Sequence, residues 1–251
     1  MRKHLIWMLG LVVAAAGVGI AAIASAAPNV QSISAKVAPK KLPKKTKAPV
    51  SVFTDVSATN PGNPNQLPNP TTLAKVDFDK DMKFQQKGLP TCNPSQFTAA
   101  TTTQQAKSAC ASSLVGGGSA QIAVPTGAST PPLQVQAVVT AFNGKNKTLV
   151  LHSYNSLSGA QTLVGKLGPP AGAGKFYGTT LTVPVPPLAG GTAVITEFNT
   201  KVKKVYHFKG KKLSLANSSC KDKKLHFQAR FTDNQGQTAV GNFTQKCKQK
   251  H

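Results

Sequence analysis

The fold is decided by stretches such as Leu225–Thr232, which reads LHFQARFT. Apolar residues alternate with polar ones along the whole stretch, so an extended segment here has one apolar face and one polar face. The segment Gln134–Ala141, QVQAVVTA, repeats the pattern with Val138 as its exception. Such alternation is typical of half-buried antiparallel strands. The sequence therefore predicts an all-β fold.

Most of the chain beyond Val50 carries the same signal. Turn residues separate the apolar runs at intervals of about 8–12 residues, which is typical of antiparallel sandwiches. Further strands are predicted at Lys75–Asp79, Ala120–Val124, Thr148–Tyr154, Gln161–Val164, Gly178–Val183, Thr192–Phe198, Val202–Phe208, Lys212–Ala216 and Gln237–Gln245. Turns are predicted at Asn143-Gly144, Pro186-Pro187, Gly190-Gly191 and Lys209-Gly210. We expect one antiparallel β-sandwich, jelly-roll-like or related, over residues 51–251.

One short helix is predicted in this otherwise β-rich chain. Thr102 and Gln105 have the spacing of a capping box, and the Ala- and Gln-rich run Gln104–Ser112 follows. The triple glycine Gly116–Gly118 is interpreted as the signal that ends the helix.

Four cysteines indicate two disulfides, because an even number in an exported chain is typical of a disulfide framework. Three pairings are possible. We expect Cys92–Cys110 and Cys220–Cys247, since each closes a short local loop in its own half of the chain. The first of these would pin the predicted helix. A metal site is not expected, because no C-x-x-C pair occurs and the spacings match no zinc pattern.

The N-terminal segment has the features of a secretory signal. Basic residues precede the apolar stretch Leu5–Ile23, and Ala24–Ala26 forms a small-residue cleavage site. We expect residues 1–26 to be a signal peptide, although the apolar stretch is also long enough for an uncleaved anchor. Residues 27–50, rich in Lys and Pro, are predicted to be an extended, mobile linker. Cleavage would leave no stable membrane span and a secreted or envelope-associated chain.

Positive charge is the strongest functional signal in the sequence. With 30 Lys and Arg against 7 Asp and Glu, the chain carries a formal net charge of +23. Nearly all of it is lysine, which attracts anions as a mobile point charge rather than through a fixed bidentate fork. We expect salt-sensitive binding to an anionic envelope polymer or acidic glycan, and no sequence-specific nucleic-acid binding. The predicted basic face consists of Lys201, Lys203, Lys204, Lys209, Lys211, Lys212, Lys223, Lys224 and Arg230.

Catalysis is not expected, because the residues that carry it are scarce. Glu197 is the only glutamate, and neither G-x-S-x-G nor H-E-x-x-H occurs. Asp77, Asp79 and Asp81 alternate along a predicted strand, which is compatible with a calcium site or with a solvated strand face beside lysines. Glu197 with one of these aspartates would give the alternative function, a sandwich-fold polysaccharide hydrolase or lyase. No cofactor is expected.

Six segments carry a resemblance to a known group. They are Leu89–Cys92 (LPTC), Ala106–Gly116 (AKSACASSLVG), Ala141–Gly144 (AFNG), Leu149–His152 (LVLH), Pro186–Gly191 (PPLAGG) and Phe231–Asp233 (FTD). Together they resemble a group of uncharacterised, exported, all-β actinobacterial proteins over about Val50 to Cys247. The resemblance implies export and two disulfides. Since the group has no assigned activity, no functional residue is carried over from it.

Three functions are compatible with these observations. The first is an exported, non-catalytic protein of the cell envelope that binds anionic polymers through the basic face. The second is the polysaccharide-cleaving enzyme. The third is a structural or adhesive surface protein whose sheet edges contact another protein. The excess of lysine over carboxylate favours the first.

Overall fold

The structure, a computed structural model, describes residues 30–60, 62, 66–127, 130–171 and 174–250. The predicted signal peptide lies outside these residues. Strands dominate the described chain, which contains one α-helix, α1 (Thr103–Ala109). The predicted all-β class with one short helix is confirmed.

The strands are numbered in chain order. The first nine are β1 (Val30–Ala38), β2 (Lys41–Pro43), β3 (Ala48–Pro49), β4 (Ser51–Thr59), β5 (Thr71–Asp79), β6 (Met82–Phe84), β7 (Leu114–Val124), β8 (Leu133–Asn143) and β9 (Thr148–Asn155). The others are β10 (Gly159–Gly168), β11 (Tyr177–Pro184), β12 (Val194–Val202), β13 (Val205–Phe208), β14 (Lys211–Ser214), β15 (Ala216–Ser218), β16 (Lys224–Asp233), β17 (Thr238–Lys246) and β18 (Lys248–Lys250). Two predicted strands are divided, because Val202 ends β12 before β13 begins, and Ser214 ends β14 before β15 begins.

Eleven strands form the main sheet, in the order β1-β4-β12-β7-β8-β9-β10-β11-β5-β16-β17. Every neighbouring pair in it is antiparallel. The sheet curls until its edge strands β1 and β17 lie against each other. The Gln245 side chain joins them, since its Oε1 accepts from the Val37 N–H at 2.6 Å and its Nε2 donates to the Val37 carbonyl at 2.9 Å. One curled sheet thus supplies both facing layers of the sandwich-like core.

The strand ends collect at two ends of the curled sheet, because neighbouring strands run in opposite directions. We call one of them the lysine end; there β1, β5, β12 and β17 finish and β4 and β16 begin. At the opposite end, the distal end, β4 and β16 finish and β1, β5, β12 and β17 begin. Three small sheets add to the lysine end: the hairpin β13–β14, the triplet β3-β15-β6, and β2 paired in parallel with β18.

The predicted linker, residues 27–50, is wrong for the part that the structure describes. From residue 30 the chain forms β1, which pairs with β4 along its whole length. Ile33 and Val37 alternate with exposed polar residues, and Val37 and Leu42 have no exposed surface. The apolar positions point to the interior while the lysines between and after them stay in solvent, so the high charge of the segment does not prevent it from folding.

Both predicted disulfides are present. Cys92 is bonded to Cys110, and Cys220 to Cys247. The capping box is formed as well, with Thr102 as N-cap and Gln105 as its partner. Cys110 directly follows the last residue of α1, so the disulfide pins the helix as predicted.

The triple glycine Gly116–Gly118 lies within β7, so its interpretation as a helix terminator is wrong. A Cβ atom on Gly116 would overlap the Lys201 carbonyl oxygen of β12, and one on Gly118 would overlap that of Asn199. Glycine is needed here because the neighbouring backbone occupies the space of a side chain.

Candidate functional site

The predicted basic face lies at the lysine end of the main sheet. Lys201 is near the end of β12, and Lys224 begins β16, which starts at the same end. The remaining lysines of the set are Lys203 and Lys204 between β12 and β13, Lys209 in the β13–β14 turn, Lys211 and Lys212 on β14, and Lys223 before β16. All of them are exposed except Lys204, which is half-buried.

The hairpin β13–β14 presents three of these lysines. Its turn is built by Lys209 and Gly210, whose φ angles of 49° and 72° are the left-handed pair that a tight hairpin turn requires. Tyr206 anchors the hairpin, because its side chain is buried and its hydroxyl donates to the Lys87 carbonyl at 2.9 Å. Leu215, just after β14, is fully buried. The exposed ammonium groups therefore extend from an anchored support.

The sequence interpretation missed a second group of lysines at this end. This group falls within the predicted linker but lies between β1 and β4, where β2 pairs with β18 and β3 pairs with β15. Its members are Lys40, Lys41, Lys44, Lys45 and Lys47. The buried Leu42 was the available signal. The segment is thus fixed to the lysine end and adds to its charge.

Lys47 is the most constrained member of this second group. Its Nζ donates to the Lys80 carbonyl at 3.0 Å. Partial burial lowers the pKa of Lys47, and the carboxylate of Asp81 opposes this effect.

Few carboxylates balance the lysines. Within the described residues there are two ion pairs, Lys221–Asp81 at 3.7 Å and Arg230–Asp77 at 2.6 Å. The other lysines of the end form no ion pair with the described carboxylates. Of the described lysines, Lys75 lies in the middle of β5, away from this end, and Lys107 lies on α1, on the outer side of the sheet. Among the described residues, lysine is therefore concentrated at one end of the sheet.

Arg230 does not belong to the basic face, which corrects the prediction for this residue. It points outward from β16, but its guanidinium covers the buried carboxylate of Asp77 rather than facing solvent. Its Nη1 also donates to the Ala171 carbonyl at 2.8 Å, in the connection between β10 and β11. Arg230 is a structural residue.

The three aspartates are buried, so the interpretation as a solvated strand face is wrong. The two carboxylate oxygens of Asp79 accept from the N–H groups of Asp81 and His226, at 2.7 and 2.8 Å. Asp81 accepts from the Lys221 N–H at 2.7 Å. Burial raises the pKa of Asp79, although its backbone donors oppose this. No group of three or more potential metal ligands occurs within the part of the chain that the structure describes.

Glu197 does not meet the aspartates. It is exposed on β12, whereas Asp77 and Asp79 lie on β5. Five strands of the main sheet separate β12 from β5 on one side, and β4, β1, β17 and β16 separate them on the other. The two carboxylates that a glycosidase places around one bond are therefore not brought together by this pairing.

His152 is a buried histidine next to the disulfide-pinned helix. It has no exposed surface, and its Nε2 lies 3.0 Å from the Thr101 carbonyl, which requires that nitrogen to donate. Burial lowers the pKa of His152, while the contact with Thr101 opposes this. The folded protein thus holds the neutral imidazole at neutral pH.

Acidification is expected to destabilise the protein through His152. Because its folded pKa lies below the ordinary value of 6.5, the unfolded chain takes up the proton first, and stability falls as the pH drops through 6.5. The slope from one group is at most about 1.4 kcal/mol per pH unit. Urea unfolding at pH 5.5 to 8 should show a flatter dependence for His152→Phe than for wild type. The exposed His207→Gln is the control, and an unchanged slope in His152→Phe would contradict the assignment.

The lysine end is the feature on which a functional inference can rest. Among the described residues, no helix has the length and apolar character needed to cross a membrane. Comparisons with protein-family models, curated proteins and solved structures find no match for this chain, so the resemblance to exported actinobacterial proteins stays a prediction.

Proposed function

We propose that the protein is an exported, non-catalytic protein of the cell envelope that binds an anionic polymer or acidic glycan through its lysine end. The observation that carries this proposal is the collection of exposed lysines at one end of the sheet with few carboxylates beside them. Uncompensated like charges raise the local potential and attract polyanions over a distance of about one Debye length, roughly 8 Å at physiological ionic strength.

The form of the lysine end fits a repetitive ligand better than a small anion. Its lysines are spread over β2, the β13–β14 hairpin, the start of β16 and the end of β17. Lysine ammonium groups on flexible stems adapt to charges at varying positions, whereas a specific anion pocket favours arginine forks. The only arginine among the described residues, Arg230, is engaged by Asp77. A polymer with many evenly spaced charges contacts several lysines at once.

Two lysines at the hairpin give a direct test. Lys211→Gln/Lys212→Gln removes two exposed charges from β14, and Lys75→Gln/Lys107→Gln removes two charges from the outer side of the sheet, on β5 and α1. With about 1 kcal/mol per lysine near an anionic surface, the first variant should bind polygalacturonate about tenfold to thirtyfold more weakly at low salt. The control variant should stay within about twofold of wild type. Calorimetric titration at several salt concentrations measures both effects.

The outcomes separate this proposal from the alternatives. Binding that ignores ionic strength, no binding at low salt, or equal losses in both variants would contradict it. Loss of polysaccharide cleavage in Glu197→Gln would instead support an enzyme. The adhesive alternative requires free sheet edges. The edge strands β1 and β17 of the main sheet lie against each other, and hydrogen bonds between the Gln245 side chain and the Val37 backbone join them.

A further inference from the structure

The interior of the curled sheet contains an apolar cavity. Its volume is about 120 Å³. The inward-facing side chains of β4, β5, β11 and β12 form most of its wall, and no charged residue lines it. Its polar groups are uncharged, namely Gln31, Thr54, Thr71, Thr196 and Thr200.

The wall of this cavity is not closed by packing. Val56, Leu181 and Phe198 face inward, yet each is only partly buried, because the space in front of them admits water-sized molecules. Leaving apolar side chains unpacked forfeits dispersion contacts and burial of apolar surface. A ligand that fills the cavity would recover both.

The lysine end of the cavity is closed. A cluster of apolar side chains closes it, and its buried members there are Leu89, Tyr206 and Leu215. Two partly buried side chains of the β13–β14 hairpin, Phe208 and Leu213, complete the cluster. The Tyr206 hydroxyl, which donates to the Lys87 carbonyl, fixes the closure.

The distal end of the cavity is open by comparison. A second, smaller hollow of about 90 Å³ adjoins it there and shares Thr71, Val185 and Ile195 with it. Prolines 186 and 187 and Leu188 form its outer wall. The uncharged pair Gln31 and Thr71, joined by a 3.0 Å hydrogen bond, lies at the junction. A ligand would therefore enter from the distal end.

We propose that this cavity binds a single long hydrocarbon chain with an uncharged polar head, such as a monoacylglycerol. The wall runs along β4 from Val52 to Ala58, which spans about 20 Å at the rise of a strand and suits an extended long-chain lipid. The head is uncharged, because no described lysine lies at the distal end to pair with a carboxylate or phosphate. Gln31 and the threonine hydroxyls would bond its polar atoms.

Displacement of the fluorescent probe N-phenyl-1-naphthylamine by monopalmitoylglycerol tests this inference in the whole protein. Wild type should bind the probe saturably and release it to the lipid. Val56→Trp places a bulky ring in the cavity and should weaken lipid binding at least about tenfold. Val138→Trp, on the 50% exposed outer position of β8, is the matched control and should stay within about twofold.

Two further measurements keep the test decisive. Val76→Phe fills the cavity from β5, and its lipid affinity should fall even if Val56→Trp does not fold. Lys211→Gln/Lys212→Gln should bind the lipid normally, which separates this site from the lysine end. Absence of saturable probe binding, equal losses in Val56→Trp and Val138→Trp, or displacement by palmitate at pH 8 as strong as by monopalmitoylglycerol would overturn the inference.

Discussion

Arg230→Ala is expected to lower the free energy of unfolding by about 3–5 kcal/mol, the usual cost of leaving a buried charge without its partner. Arg230 Nη2 lies 2.6 Å from Asp77 Oδ2, and the Asp77 side chain has no exposed surface. Without the guanidinium, the carboxylate keeps the Thr180 hydroxyl and the Ala171 N–H as donors. These neutral groups do not replace a positive charge. Urea unfolding followed by circular dichroism measures the loss.

A control on the neighbouring strand makes the result specific. Lys75 lies opposite Arg230 in the register of β5 and β16 but forms no ion pair with the described carboxylates. Lys75→Ala should change stability by about 0.5 kcal/mol or less, as surface substitutions usually do. The double variant Asp77→Asn/Arg230→Met should recover part of the loss, because it removes the buried charge together with its partner. If Arg230→Ala stayed within about 1 kcal/mol of wild type, the ion pair would not be a structural element.

The strands could be predicted because alternation is a local signal. Leu225–Thr232 forms most of β16, with Leu225 and Phe227 buried and the residues between them less so. The same alternation exists in β1, at Ile33, Ala35 and Val37. The Lys- and Pro-rich residues that follow β1 favour a linker in the sequence analysis. Charged residues at the outward positions of a strand, between buried apolar ones, are nevertheless compatible with the strand. Local charge density was the wrong criterion for a linker.

The lysine end could be predicted only in part, because it depends on the register of distant strands. The sequence places Lys201 and Lys224 near strand boundaries. The sequence does not show that the sheet curls until β1 lies against β17. This curling brings the end of β12 and the start of β16 together at the lysine end. Arg230 was assigned to the surface because it alternates with apolar residues. The connection at Ala171 covers that outer position, and no local pattern reports it.

The cavity had no sequence signal of its own. Alternation predicts that Val56, Val76 and Phe198 face the interior, but it does not predict whether opposite walls touch. That depends on the curvature of the main sheet, which no local sequence pattern reports. The two proposed sites lie at different places of one sheet, since the lysine end is closed by the hairpin and the cavity is entered from the distal end.

The disulfide Cys220–Cys247 is the second feature whose removal should have a large effect. It closes a loop with a sequence separation of 27, for which the loop-entropy relation gives about 3.5 kcal/mol. Both sulfur atoms are buried within the cluster that holds Leu42 and Leu225. The Cys220 N–H donates to the Pro43 carbonyl at 2.9 Å, so the disulfide also holds β2 to the start of β16. The lysine-bearing segments 40–47 and 221–224 are therefore both held in place around the disulfide Cys220–Cys247.

Cys220→Ala/Cys247→Ala is expected to lose about 3–4 kcal/mol of stability and to bind polygalacturonate more weakly, because the lysines around positions 40–47 and 221–224 lose their common support. Cys92→Ala/Cys110→Ala is the matched control. Its sequence separation of 18 gives a similar entropic loss of about 3 kcal/mol, but it holds α1 beside β8, several strands away from the lysines around positions 40–47 and 221–224. Unfolding curves and salt-dependent titrations of both variants, at a temperature where each is folded, separate stability from binding. Equal loss of polymer binding in the two variants would show that the disulfide Cys220–Cys247 has no special part in organising the lysine end.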